Sequence, residues 1–416
     1  MTTTTTENQV LIIGGGLAGL ALGNVLQHHG VPYTVFERES SPNDRLQGWS
    51  LSMHFVLPKL AELIDPAKWA EFGPRTAVNP QDPHNVSFAM VDGVSGKPFM
   101  QRGGPNLGAG VYRVNRKRLR DWLSEDINVV WGKQFDHYVT EEQQDGGVKA
   151  VFKDGTEVRG RLLIGVDGSN SAVAQQKLGT KLYDEITSTH PVKALGTQTI
   201  IDAELRKKIE EISSAFMMAF GQNPPSGGTM PCVFSSLNDV LSDNEFSMQW
   251  SVSTMDEDFK IADTDAERLQ QAKDLVRKGN FTGPLAEMIF NTKDDSPTLG
   301  LRIRERAPLE NLGSVSPDNV ILVGDAAHAM TMFRGEGANH AIMDSLVLGE
   351  QLIKLYKDEI SLKEALDVYY KEMIPRGRKA VQESHEAAFT VHKSREAMEE
   401  MVQSVIKRHS GASQKE

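Results

Sequence analysis

The segment from Val10 to Glu37 constrains the fold more than any other part of this 416-residue chain. Val10-Leu-Ile-Ile13 is a short apolar run that ends in Gly14-Gly15-Gly16-Leu17-Ala18-Gly19. Such a run reads as a strand buried on both faces of a parallel sheet. Leu17, Leu20, Ala21 and Val25 then recur at helical spacing, and Gly30 stops the pattern. Tyr33-Thr-Val-Phe-Glu37 supplies the next strand. The unit is a βαβ crossover with a glycine-rich first turn. Gly14 permits the tight turn, Gly16 lets the backbone approach a pyrophosphate, and Gly19 lets helix and sheet pack closely. The helix N-terminus, with Leu17 and Ala18, offers N–H groups and partial positive charge to phosphate. Glu37 ends the second strand, where a carboxylate can accept from a ribose diol. Arg38 follows it.

Two further signatures follow in order. Gly165-Val-Asp167-Gly168-Ser-Asn-Ser171 comes after an apolar run, Leu162-Leu-Ile. Gly324-Asp325-Ala-Ala-His328 follows Asn319-Val-Ile-Leu-Val323 and precedes Arg334-Gly335-Glu336-Gly337. Gly14 and Asp325 lie about 310 residues apart. One long diphosphate cofactor held by both ends of the chain explains the set, and FAD is long enough. Asp325 follows a buried strand directly, and an isolated buried carboxylate is costly unless hydroxyls pair it. The alternative for Asp325 is a helix N-cap. Gly335-Glu-Gly337 enters a helix from Ala338 and Asn339, whose N–H groups can face a reduced flavin's negative charge. His328 reads as a structural residue that orients the turn by hydrogen bonds.

Charge narrows the function classes. The net charge is 45 − 56 = −11, which argues against nucleic-acid binding. The single cysteine, Cys232, excludes an internal disulfide and a cysteine-rich metal site. No histidine pair has metal-ligand spacing, so no metal is expected. The threonine-rich start lacks the features of a signal peptide. No stretch of about 18 apolar residues appears, so no membrane span is expected. A cytoplasmic protein, monomeric or homodimeric, fits these features.

The organisation is α/β: a Rossmann-like FAD-binding domain with an inserted sheet-based substrate domain and a helical C-terminus. The cofactor domain takes residues 1–185 and 306–375, the substrate domain 186–305, and a C-terminal helix and polar tail 376–416. Strands are expected at 195–201, 215–221, 231–236 and 246–253, with a helix at 266–278. Helices are expected at 114–127, 338–357, 362–373 and 377–408, and a hairpin around Lys153-Asp-Gly155. Arg113, Arg116, Arg118 and Arg120 cluster where the 114–127 helix begins. Cations there oppose the macrodipole, which points to an anionic partner for at least one of them; Arg113 and Arg116 are assigned to the cofactor.

These three signatures resemble those of the single-component, FAD-dependent aromatic hydroxylases, the class A flavin monooxygenases. The closest texture is that of fungal natural-product tailoring enzymes of secondary metabolism. Gly14, Gly16, Gly19 and Glu37 match the family's ADP-binding fingerprint. Arg116-Lys-Arg-Leu119 matches its Arg-x-x-Leu helix start, and Asp167-Gly168 its second motif, which serves FAD and NAD(P)H. Gly324-Asp325 matches its third, where the aspartate holds the ribityl chain. Gly48-Trp-Ser-Leu51 resembles the segment beside the flavin. Two departures stand out. Ala174 replaces an arginine usual near that position, and Met332 a proline.

The resemblance implies an NAD(P)H- and O2-dependent monooxygenase. It would insert one oxygen atom into an aromatic or other electron-rich small molecule through a flavin C4a-hydroperoxide. The protein's task is to orient substrate and exclude water. The pocket should then be largely apolar, with Met217, Met218, Met248, Trp250, Met332 and Phe333 as candidate linings. His54, Gln198 and Arg334 are candidate polar groups beside the flavin. Arg302, Arg304 and Arg306 alternate along a strand and could share a carboxylate-binding face. The rivals are an FAD-dependent dehydrogenase without oxygen insertion and a non-catalytic flavin-binding protein. A halogenase would show a Trp-x-Trp-x-x-Pro segment, which this chain lacks.

Overall fold

The computed structural model describes residues 8–44, 49–104, 110–140, 147–223, 229–394, 396–398 and 400. A five-stranded parallel sheet forms the first layer. Its order is Val320–Leu322, Leu162–Gly165, Val10–Ile13, Tyr33–Phe36, Val129–Val130. The three central strands are wholly buried, as their unbroken apolar sequences require. Register aligns their C-terminal ends: Ile13 pairs with Gly165 and Phe36, and Gly165 with Leu322. The turns after Ile13, Phe36, Gly165 and Leu322 therefore emerge at one sheet edge. In open parallel sheets that edge is where ligands bind.

Two helices cover one another beside this sheet. Leu17–His28 carries ten buried residues and packs on Gly337–Tyr356. Gly349 makes the crossing close, because an added Cβ there would lie 2.9 Å from Val25. Ser345 Oγ donates to the carbonyl of Ala18 at 2.8 Å. The third signature is thereby fixed to the first.

The second layer is a seven-stranded sheet. Its order is Leu299–Glu305, Ser188–Asp202, Glu245–Thr254, Cys232–Val240, Phe216–Phe220, Ser87–Asp92, Lys97–Gly103. The last two strands come from the stretch assigned to the cofactor domain. The pairing of Ser87–Asp92 with Phe216–Phe220 is parallel, so a long connection was needed and sequence proximity gave no hint. Helices Ala203–Glu210, Asp265–Lys278 and Gly283–Phe290 pack on one face. The other face turns toward the first layer, where Gly196 abuts Trp49 and Gln249 meets the amide of Ser50.

Two helix expectations change. The arginine cluster does not open a helix at 114: Tyr112–Asn115 is a strand, and the helix is Arg116–Ser124. Asn115 caps it through Lys117 and Arg118. The two helices expected at 362–373 and 377–408 are one, Leu362–Lys393, with Pro375 inside. The boundary drawn at 376 therefore falls within a helix. Proline removes one hydrogen bond, but this 32-residue helix is held on both sides of it. Tyr369 donates to the carbonyl of Leu322, and Thr331 donates to the carbonyl of Ser384.

Candidate functional site

The glycines of the first turn divide into two kinds. A Cβ on Gly14 would collide with the carbonyl oxygen of Val166, and Gly14 has φ +121°. A Cβ on Gly19 would collide with the carbonyl oxygen of Gly14. Both are explained by the protein's own packing. Gly16 is not, because an added Cβ would meet nothing within 4 Å. The open space before it adjoins the Leu17–His28 helix, whose N-terminus has no side-chain cap. Leu17, Ala18 and Gly19 thus offer uncapped backbone N–H groups to an anion.

Glu37 is buried beside this turn. One of its oxygens accepts from the amide of Gly15 at 2.6 Å, the other from the amide of Glu39 at 3.1 Å. Arg38 is exposed. The turn is braced by Arg120, whose arginine cluster was noticed but whose role was not. It donates to the carbonyl of Gly15 at 3.0 Å, pairs with Glu39 at 2.9 Å, and stacks 5.2 Å from the ring of Trp131. The carboxylates of Glu39 and Glu37 beside it explain why an arginine can oppose the helix dipole there.

At the adjacent strand end, Asp167 accepts from Ser171 at 2.5 Å and from the amides of Ala172 and Val173 at 2.8 and 3.2 Å. Its carboxylate caps the Ala172–Leu178 helix. Gly168 has φ +82° and open space around it. Ala174 is fully buried on that helix, so a long cation at this position would need another path out.

The third strand end carries Gly324 and Asp325. Asp325 keeps an exposed surface and takes no hydrogen bond to its carboxylate from any described residue. Crowding by the surrounding protein nevertheless raises its pKa, opposed by the charges of His328, Arg306 and Arg116. A carboxylate both accessible and crowded lies in a cleft. Arg116, from the Arg-x-x-Leu helix start, is thus close enough to Asp325 of the third motif to act on its charge. Arg306 clamps the turn from below, donating to the carbonyls of Asp325 and Ala326 at 2.7 and 3.1 Å. It therefore does not share a substrate-binding face with Arg302 and Arg304, which are exposed.

His328 is wholly buried and hydrogen-bonds Asp344 at 2.6 Å. Burial disfavours its charged form, but Asp344 outweighs that and its pKa rises. Asp344 also accepts from the amide of Gly324 at 2.8 Å and from Arg376 at 2.6 Å. Neither Asp344 nor Arg376 was singled out in the sequence. The signal was weak: a carboxylate in the buried stripe of one helix and an arginine after a proline in another.

The loop to the next helix carries Met332 exposed, Phe333 half-buried, and Gly335 left-handed at φ +65°. Gly337 and Ala338 then open the Gly337–Tyr356 helix without a side-chain cap. The side chain of Asn339 has a structural role. It is fully buried, accepting from the amide of His54 at 2.9 Å and donating to the carbonyl of Ser52 at 2.8 Å. It ties the helix start to the Ser50–Met53 strand and the turn after it. Arg334 is held by Glu336 at 2.9 and 3.0 Å and by Glu383 at 3.3 Å. His54 is half-buried, and burial lowers its pKa, so the ring is neutral near pH 7. Gln198 is exposed on the second sheet. Gly48 lies outside the described residues.

Two pocket candidates are corrected by strand parity. Met217 and Trp250 face the helix layer, where the Trp250 indole donates to Thr292 at 3.1 Å. Met248 shares that core. The neighbours of opposite parity, Phe216, Met218 and Phe234, are half-buried on the face turned to the first layer. Arg113 is likewise misassigned to the nucleotide. Alternation along Tyr112–Asn115 aims it at this second sheet, where it binds Ser236, Ser50 and Ser52.

His190, Glu305 and His385 also come together. The amide of Val192 donates to Nδ1 of His190 at 3.1 Å.

An uncapped helix start behind an open glycine, a carboxylate that takes no hydrogen bond from any described residue, and a second uncapped helix start are gathered at one end of the parallel sheet, where Gly324 packs against Ala18 and Ala341. That donor set fits the diphosphate, ribityl and ring ends of a flavin dinucleotide, and the fold and site define a flavoprotein. The FAD binding domain family matches residues 7–53 and 117–384. The FAD-dependent monooxygenase thnD of Trichoderma harzianum is 30% identical over 401 residues, covering 91% of this chain and 92% of the relative. The FAD-dependent monooxygenase dbaB of Emericella nidulans is 29% identical, covering 85% and 88%. In structure, Klebsiella pneumoniae HpxO complexed with FAD and uric acid superposes with a TM-score of 0.73 at 21% identity, covering 96% of this chain and 93% of that one. The chain belongs to the FAD binding domain family. It is an enzyme of the FAD-dependent monooxygenase type.

Proposed function

We propose that this enzyme takes electrons from NAD(P)H and inserts one oxygen atom of O2 into an electron-rich, aromatic small molecule. The observation that carries the proposal is that the turns bearing Gly14 and Gly324 leave the same end of the parallel sheet, with Gly324 packed against Ala18 and Ala341 of the two uncapped helices. Bound FAD supplies the two-electron chemistry that links a hydride donor to O2. The residues do the rest. Amides of Leu17 and Ala18 hold the pyrophosphate. Glu37 accepts from the adenosine ribose, and Asp325 from the ribityl chain. Gly337 and Ala338 present N–H groups and a helix dipole to the pyrimidine end of the ring, favouring negative charge there by about 0.3–1 kcal/mol. Phe216, Met218, Phe234 and Phe333 exclude water and hold the substrate. The sheet of Ser188–Asp202 serves the substrate, and the parallel sheet serves the cofactor.

The test is purification followed by a substrate screen. A yellow protein whose NAD(P)H oxidation rises with an aromatic substrate, with less than stoichiometric peroxide released, supports the proposal. Oxidation that yields only peroxide with every substrate, or hydride transfer without O2, overturns it.

A further inference from the structure

Arg113 is a buried cation without a charged partner among the described residues. Its Nε donates to Ser236 Oγ at 2.9 Å, Nη1 to Ser52 Oγ at 3.0 Å, and Nη2 to the carbonyl and Oγ of Ser50 at 2.9 and 3.0 Å. The guanidinium carbon lies 4.8 Å from the Phe216 ring centre and 5.5 Å from that of Phe234. Every hydrogen-bond partner is neutral. The other buried arginines differ: Arg120 pairs with Glu39, Arg206 with Glu210, and Arg306 acts on Asp325. Burial alone pushes the Arg113 pKa down to about 9.

A cation in this position is poorly justified by packing. A methionine would fill the space between two phenyl rings without the desolvation cost. Two cation–π contacts return only part of that cost. The three serines instead fix the guanidinium fork, and Nη1 keeps a second N–H beyond the bond to Ser52. The location is informative as well. Ser52 accepts through its carbonyl from Asn339, the third residue of the Gly337–Tyr356 helix. Phe216 and Phe234 belong to the half-buried apolar face.

We propose that Arg113 recognises an oxyanion, a carboxylate or an ionised phenol or enol, on the small molecule held against Phe216 and Phe234. This rests on the substrate lying between that sheet face and the flavin, as read above. The chemistry is simple. A guanidinium within about 4–6 Å favours the ionised form of an acid by about 1–3 pH units. It thereby selects ionisable substrates over their neutral ethers and amides, and holds a phenol in its more electron-rich form.

The experiment uses the FAD-loaded enzyme and two matched probe pairs, 4-nitrophenol with 4-nitroanisole and benzoate with benzamide. Binding is followed by flavin absorbance, and ionisation by the nitrophenolate band. At least one anionic probe should bind ten times more tightly than its neutral partner. If it is nitrophenol, its bound ionisation should move to lower pH. Whether the phenol or the carboxylate pair responds separates the two oxyanions. Arg113→Met should abolish the preference, and Arg113→Lys should keep part of it. Equal binding within both pairs, binding of none of the probes, or a preference retained in Arg113→Met overturns the proposal. Should Arg113→Met fail to fold, the wild-type comparison and Arg113→Lys decide. A colourless wild type fails earlier, before any probe is added, and sinks the flavin reading instead.

Discussion

The backbone amide of Gly324 donates to the carboxylate of Asp344 at 2.8 Å, and that same carboxylate holds the ring of His328. One buried acid thus fixes both ends of the turn that presents Asp325. Arg376, from the long C-terminal helix, balances its charge at 2.6 Å.

Asp344→Asn leaves the buried His328 without its anion and Arg376 with Glu372 as its remaining one. Breaking one partner of a buried pair costs about 3–5 kcal/mol, which denaturant unfolding will read. The pH dependence has a definite sign. Asp344 has a lowered folded pKa, so its stabilisation is complete above the ordinary 3.8 and is lost as pH falls through the folded value. His328 has a raised folded pKa, so its stabilisation is complete below 6.5 and is lost as pH rises through the folded value. The gap between wild type and Asp344→Asn should be widest between pH 3.8 and 6.5. A gap that grows steadily above pH 6.5 would contradict the ion pair.

Asp325 should show opposite effects on stability and on binding. Its pKa is raised by burial, so the apoprotein loses stability as pH rises from 3.8 through the folded value. Asp325→Asn apoprotein should be as stable as wild type or more so at pH 7, yet retain FAD at least about tenfold less well, a difference of about 1.4 kcal/mol. Flavin content after gel filtration measures the second effect. Full flavin retention would remove Asp325 from the cofactor site.

Two glycines in one motif should respond differently. Gly16→Ala adds a methyl into open space at an ordinary φ of −79°. Apoprotein stability should change by less than about 0.5 kcal/mol, as for a surface site, while FAD affinity falls. Gly19→Ala drives a methyl into the Gly14 carbonyl. It should lower stability itself, by about 1–3 kcal/mol. Equal melting shifts in the two apoproteins would refute this division.

Trp250 and Phe234 lie on neighbouring strands with opposite parity. Trp250→Ala opens a hole in the helix-covered core and should cost about 3–5 kcal/mol. Phe234→Ala removes a half-buried ring and should cost less, while weakening aromatic ligands. If Trp250→Ala instead altered ligand affinity at unchanged stability, the pocket would be on the other face.

The cofactor half was readable because its sequence is dictated locally. Val10–Ile13, Gly14 and Glu37 lie within one βαβ unit, and the pattern shows at short range even though Gly14 is held against Val166 of another strand. The substrate half was not. Met217 and Met218 are chemically alike, and only strand parity sends one into the helix-covered core and the other to the opposite, half-buried face. Arg113 was assigned to the nucleotide because the strand was read as helix, which changes where a side chain points. Asp344 and Arg376 escaped because their meaning is a contact across 32 positions.

The 32-residue helix Leu362–Lys393 has one further consequence. Arg376 anchors it to the turn that presents Asp325, and sixteen positions later His392 meets Ser253 at 2.9 Å on the second sheet. A rod clamped at both ends resists bending. The two sheets should therefore breathe little against each other, and a guest must thread in past loops rather than through a parting of the layers.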